Sequence, residues 1–161
     1  MKSRSIGPGL RSRWRRYSAL PGGKWLFSKV LGRHVPYTGS IGARVLRLEP
    51  GLCAATLRDC RHVRNHLGCI HAMALANLGE LVTGLALLNS LPDGARGILT
   101  GFGMDYLKKA RGRLAAECRC EIPADNTGQE YDLTGEIRDA HGDVVAIARA
   151  RWLVGPAAAG R

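Results

Sequence analysis

One segment constrains this chain more than any other: His71 to Leu88, which contains no proline and is apolar nearly all round. A helix without a polar stripe has to be covered on every side, so the rest of the chain must wrap it. Gly79, Gly84, Ala72 and Ala76 would let neighbouring backbone come close. The same segment carries Asn77 and Glu80 and is only marginally long enough to span a bilayer, which argues against a membrane helix.

What surrounds it reads as sheet. Residues 41–49 and 52–58 flank the turn Pro50-Gly51 and form a hairpin. Four further strand-like stretches follow the helix, at 97–108, 112–122, 128–138 and 144–154. In 112–122, Leu114, Ala116, Cys118, Cys120 and Ile122 alternate with charged residues, the pattern of a half-buried strand. Even spacing and short turns point to an antiparallel meander. Residues 23–33 place apolar side chains at helical spacing ahead of the hairpin. The expected fold is α+β: about six antiparallel strands wrapped around one long buried helix, with an N-terminal helix before them.

The 161 residues suit one domain, expected over 21–155, with an arm at 1–20 and a tail at 156–161. The net charge of +11 is mostly a feature of the N-terminal part. Lys2, Arg4, Arg11, Arg13, Arg15, Arg16, Lys24, Lys29 and Arg33 all precede the first acidic residue, Glu49. The arm is therefore read as basic and loosely ordered. Such charge attracts polyanions, including acidic lipid head groups and the phosphates of coenzyme A, or serves as a solvated tail. It carries no recognised nucleic-acid motif, so no specific nucleic-acid partner is expected. Residues 5–24 lack the apolar run of a secretory signal, and the odd count of five cysteines needs no disulfides in a chain with an adequate core. A reducing cytoplasm is the expected setting.

Glu80 is the most informative residue. A carboxylate midway along an apolar helix loses hydration, and that loss raises its pKa toward the range of a general base. The helix entrance, Asn65-His66-Leu67-Gly68-Cys69-Ile70-His71-Ala72-Met73, is the second feature. The first amides of a helix lack internal partners and, with the helix dipole, favour negative charge. The backbone N–H groups of Ala72 and Met73 are thus candidate donors to an oxyanion. Taken singly, Asn65 and His71 also suit ordinary capping. Glu80 lies nine residues beyond His71, roughly 13 Å along the axis and on the opposite face. One chain does not easily bring the two together, whereas two antiparallel helices from two subunits do. A two-fold dimer with shared sites follows as the expectation, with a dimer of dimers as the larger alternative. Cys60, His62, His66, Cys69 and His71 are conceivable metal ligands, but Cys-x-His pairs are not the usual zinc spacing. No metal and no cofactor are expected.

Asn65, His71 and Glu80, at these spacings, resemble the Asn…His-Gly-Gly…Asp/Glu signature of hotdog-fold thioesterases of the phenylacetyl-CoA type. The resemblance is closer still to an uncharacterised branch of that superfamily. There it extends to Pro36-Tyr37, Leu48-Glu49-Pro50-Gly51, Arg64-Asn65-His66-Leu67-Gly68, His71-Ala72 and the stretch from Met104 to Gly112, over about residues 22–154. It implies that Glu80 is general base or nucleophile, that Asn65 positions water or substrate, and that His71 and the amides after it hold the thioester carbonyl. The sequence departs from the family in having Ala72-Met73 in place of Gly-Gly, which narrows the approach to those amides.

The resulting expectation is hydrolysis of an acyl-CoA, or another acyl thioester, to a carboxylic acid and the thiol. Catalytic roles fall to Asn65, His71 and Glu80. Substrate contacts fall to Gly68, Ala72 and Met73, with Lys108, Lys109 and Arg111 clustered at a strand end for the phosphates of coenzyme A. Two alternatives stand beside it: a hydratase or dehydratase acting on hydroxyacyl thioesters, and a non-catalytic acyl-thioester binder. The basic arm adds a conceivable contact with a membrane surface.

Overall fold

The structure is a computed structural model, described for residues 6–157. Its order is three helices, α1 (Ile6–Ser18), α2 (Gly23–His34) and α3 (Pro36–Gly39), then strands β1 (Arg44–Glu49) and β2 (Leu52–Leu57). A 3-10 turn at Arg61–Val63 leads to helix α4 (Ala72–Leu88). Four strands follow: β3 (Ala95–Tyr106), β4 (Leu114–Arg119), β5 (Gln129–Arg138) and β6 (Val144–Pro156). The six strands make one sheet, every neighbouring pair antiparallel, in the order β1-β2-β4-β5-β6-β3.

This is the α+β hotdog architecture expected from the sequence, with two corrections. First, the sheet is not a simple meander. The chain leaves β2, crosses the sheet as α4 and enters at the far edge, so β3 pairs with β6 rather than with β4. Second, the arm expected to be loosely ordered over 1–20 is a helix from Ile6 to Ser18; its first five residues, and the end of the expected tail from residue 158, lie outside the described residues. Its order has two sources. Trp14 and Tyr17 pack on Phe27 of α2, the Trp14 ring meeting it edge-on at 5.0 Å. The Arg11 guanidinium donates to the carbonyls of Asn89 and Leu91, just beyond α4. A helix C-terminus leaves carbonyls unpaired and carries partial negative charge, so a cation is favoured there. Leu10, Trp14 and Tyr17 lie at helical spacing, but among so many arginines they give only a weak apolar stripe.

Helix α4 lies in the concave face of the sheet. Leu78, Val82 and Leu87 are fully buried and meet a core that includes Val45, Leu57, Leu114, Ile137 and Val145. Strand β6, paired on both sides, presents Ala146, Ala148 and Ala150 inward, small enough for the helix backbone to approach. At Gly79 the approach is so close that a Cβ would stand 2.5 Å from that of Ala148. Among the described residues no helix is long and apolar enough to cross a membrane.

Candidate active site

The wrapping of α4 is incomplete. From Ala74 to Leu87 only Ala76 and Glu80 are not buried, and with Ala72 and the exposed Met73 they trace a stripe along one face. Glu80 sits on it half-buried. Desolvation raises its pKa above the ordinary carboxylate value, and no described residue offers its carboxylate a hydrogen bond or an ion pair. Gly84, one turn on, makes the space. A Cβ there would meet Trp152 Cζ2 at 3.1 Å and Glu80 Oε1 at 3.4 Å. The carboxylate and the buried indole of Trp152 therefore both border the space over Gly84, and the indole Nε1 has no hydrogen-bond partner among the described residues. An apolar flank and missing donors both disfavour the charged form. Trp152 and Gly84 were not singled out as site neighbours from the sequence. Only the pairing of β6 beside α4 reveals them.

The entrance of α4 is built differently, from a chain of short-range hydrogen bonds. The Asn65 side chain folds a tight turn, Oδ1 accepting from the Leu67 amide at 2.9 Å and the Cys69 amide at 3.4 Å. Gly68 closes that turn with φ of 65° and donates its amide to the Asn65 carbonyl. A positive φ suits glycine, so its role here is conformational. His71 is the N-cap, and its Nδ1 accepts the Met73 amide at 3.0 Å. This corrects the expectation that both the Ala72 and Met73 amides are open donors. Met73 is occupied by its own cap, and Ala72 keeps the amide without a partner among the described residues. With Nδ1 accepting, a neutral His71 ring carries its proton on Nε2, which leaves an N–H donor on an exposed side chain.

The entrance docks on the segment after β3. The Ile70 amide donates to the Ala110 carbonyl at 2.9 Å, and the Tyr106 hydroxyl to the Ala72 carbonyl at 3.1 Å. Between them is a pocket of about 320 Å³ that gathers Asn65, Ala72, Tyr106, Lys108 and Lys109. Glu80, His71, Met73 and Arg111 do not line it. Lys108 requires a second correction as a phosphate contact. Its ammonium is held by Asp139 at 2.7 Å and by Asp143, carboxylates of the turn between β5 and β6, and these bonds raise its pKa. Lys109 remains exposed. Arg111 is exposed too, near enough to Asp59 to help depress that carboxyl, after the larger effect of Arg64. Cys60 Sγ lies 3.3 Å from His62 Nδ1, but among the described residues no three His, Cys, Asp or Glu side chains are placed to hold a metal ion. All five cysteines are free thiols, and burial pushes those of Cys118 and Cys120 up to about 12 and about 11.

Comparison with known proteins agrees with this architecture. The family model described as a domain of unknown function, DUF4442, matches residues 23–154. No curated protein sequence matches the chain. A crystal structure known as genomics target APC5556 superposes with a TM-score of 0.80 at 28% identity, covering 92% of this chain and 99% of its own. A protein of unknown function from Pseudomonas aeruginosa, PA5026, superposes at 0.73 with 23% identity, over 85% of this chain and 97% of its own. A phenylacetic acid degradation-related protein from Ralstonia eutropha gives 0.63 at 21%, over 73% and 89%. The last two carry provisional thioesterase assignments.

Proposed function

The chain belongs to the DUF4442 family, and from that premise we propose that it hydrolyses an acyl thioester, an acyl-CoA by preference, in a two-fold dimer whose sites are shared between subunits. The observation that carries this reading is the desolvated, unpartnered carboxylate of Glu80 on the one open stripe of the buried helix. The thioesterase assignments of hotdog relatives support the same chemistry.

In this reading Glu80 takes a proton from water as the oxygen attacks the thioester carbonyl. The oxyanion is met by the Ala72 amide and the Nε2–H of His71 at the partner's helix entrance. Collapse breaks the carbon–sulfur bond, and the thiolate leaves and takes up a proton. Asn65, Gly68 and Met73 support this tip by shaping its turn and cap. Lys109 and Arg111 remain for the phosphates of coenzyme A. General-base assistance is typically worth about 10²–10⁴-fold, with oxyanion donors adding a comparable factor.

Two features support the dimer. Eight helical steps separate Ala72 from Glu80, about 12 Å, so one chain does not close the site. And β3 is an edge strand, paired with β6 alone among the described residues, that exposes Ile98, Phe102 and Tyr106. A long apolar edge calls for a cover. The decisive experiment is subunit complementation. Glu80→Gln and His71→Ala chains, each inactive alone, are co-expressed with different tags and assayed for acyl-CoA hydrolysis. Random pairing restores about a quarter of the activity when sites are shared between subunits. No recovery from folded mixed dimers rejects the shared site.

A further inference from the structure

A second pocket lies on another side of α4, away from the helix entrance. It has a volume of about 290 Å³, is walled by α2, α3 and β1, and is floored by Leu81, the residue after Glu80. Leu31 and Ala43 give it further apolar surface, and Trp25 stands at its side. At its side α2 and α3 meet backbone to backbone: a Cβ on Gly32 would stand 2.9 Å from the Gly39 Cα, so neither glycine puts a side chain into the hollow.

The rim is cationic. Lys29, Arg33 and Arg44 line the pocket, and none of the three has a carboxylate partner among the described residues. The sequence explains why: no acidic residue precedes Glu49. Elsewhere on the surface Arg64, Arg138, Arg149 and Arg151 are all paired. Lys29 rests 5.9 Å from the centre of the Trp25 ring, so aromatic and cation share one face of α2. Three like charges around an apolar hollow repel one another until an anion joins them.

We propose that this pocket binds a single-chain anionic amphiphile, a long-chain carboxylate or an alkyl phosphate monoester. The chain lies on Leu31, Ala43 and Leu81, and the head sits among Lys29, Arg33 and Arg44. Pockets for such ligands combine an apolar lining with a few placed polar groups, and cation–phosphate bonds are among the stronger hydrogen bonds. The site stands independently of thioester hydrolysis.

The test is calorimetric titration of the full chain with dodecyl phosphate and with dodecanoate below their micellar concentrations, with the tryptophan emission that a Trp25→Phe chain lacks as local reporter. Dodecanol, inorganic phosphate and phosphatidylglycerol vesicles are the comparison ligands. Saturable binding of both amphiphiles is expected, weakened about tenfold for each of Arg33→Gln and Arg44→Gln. Ala43→Phe fills the chain space and abolishes binding; should it not fold, the two charge variants, on exposed side chains, still decide the matter. Dodecanol or inorganic phosphate binding as tightly as dodecyl phosphate overturns the proposal. So does an absence of saturable binding to the monomeric amphiphiles, or binding to vesicles alone, which would make this face a membrane contact instead.

Discussion

The entrance and the midpoint of α4 are one helix and two opposite designs. At the entrance most polar groups are tied down, and the Ala72 amide and His71 Nε2 are left open: Asn65 folds its own turn, His71 caps Met73, and Tyr106 donates to the Ala72 carbonyl. At the midpoint a half-buried carboxylate borders the space over Gly84 and is given no partner among the described residues. The first arrangement stabilises and orients. The second costs stability and raises the carboxylate's pKa. Active sites commonly pair the two, because oriented donors stabilise the developing oxyanion while a desolvated base takes up the proton.

The comparison breaks most readily at Glu80. Replacing it with Gln keeps the shape and removes the base, and acyl-CoA hydrolysis is expected to fall by about 10²–10⁴-fold with the protein still folded. Release of free thiol, followed colorimetrically, measures this; an undiminished rate would end the carboxylate's role. His71→Ala tests the other end. It removes the Nε2–H donor and uncaps Met73, so activity should drop about 10²-fold and urea stability by about 1 kcal/mol. If stability falls and the rate does not, the entrance is structural only.

Gly84→Ala sharpens the comparison by crowding the carboxylate and Trp152 without touching either. A loss of about tenfold in kcat is expected with little change in KM, the sign of a misplaced group. The smallest effect is thermodynamic. Glu80 has a raised pKa when folded, so its contribution to stability is fully present below the ordinary glutamate value, about 4.3, and is lost as pH rises through the raised one. Glu80→Gln should therefore match the parent near pH 4 and exceed it in Tm by a few degrees at about pH 8. A Tm difference that does not depend on pH would show that the carboxylate is not strained by burial.

Much of this was legible in the chain. The run around Leu78 and Val82 announced a buried helix because each face is apolar, and the alternation at Leu114–Cys118 announced a strand for the same local reason. Glu80 stood out against its neighbours. Less visible were groups whose partners are distant. Lys108 reads as a free cation beside Lys109, yet Asp139 and Asp143, some thirty residues on, claim it. The capping role of His71 was legible from its place at the helix start, whereas the choice of Nδ1 for the bond to Met73, which leaves Nε2 outward, was not. The Leu10–Trp14–Tyr17 stripe was outweighed by arginines until Phe27 and the carbonyls after α4 supplied its contacts.

The order of residues by itself determined that one apolar helix must be enclosed by an antiparallel sheet and that a carboxylate would be buried with it. Hydrophobic periodicity is a local property, and burial of such a segment has few solutions. Only the tertiary structure decided that β3 would lie at the open edge, that Trp152 and Glu80 would both border the space over Gly84, and that α2, α3 and β1 would leave a cation-rimmed hollow above Leu81. Those outcomes depend on which distant surfaces meet, and that is set by packing across the whole domain.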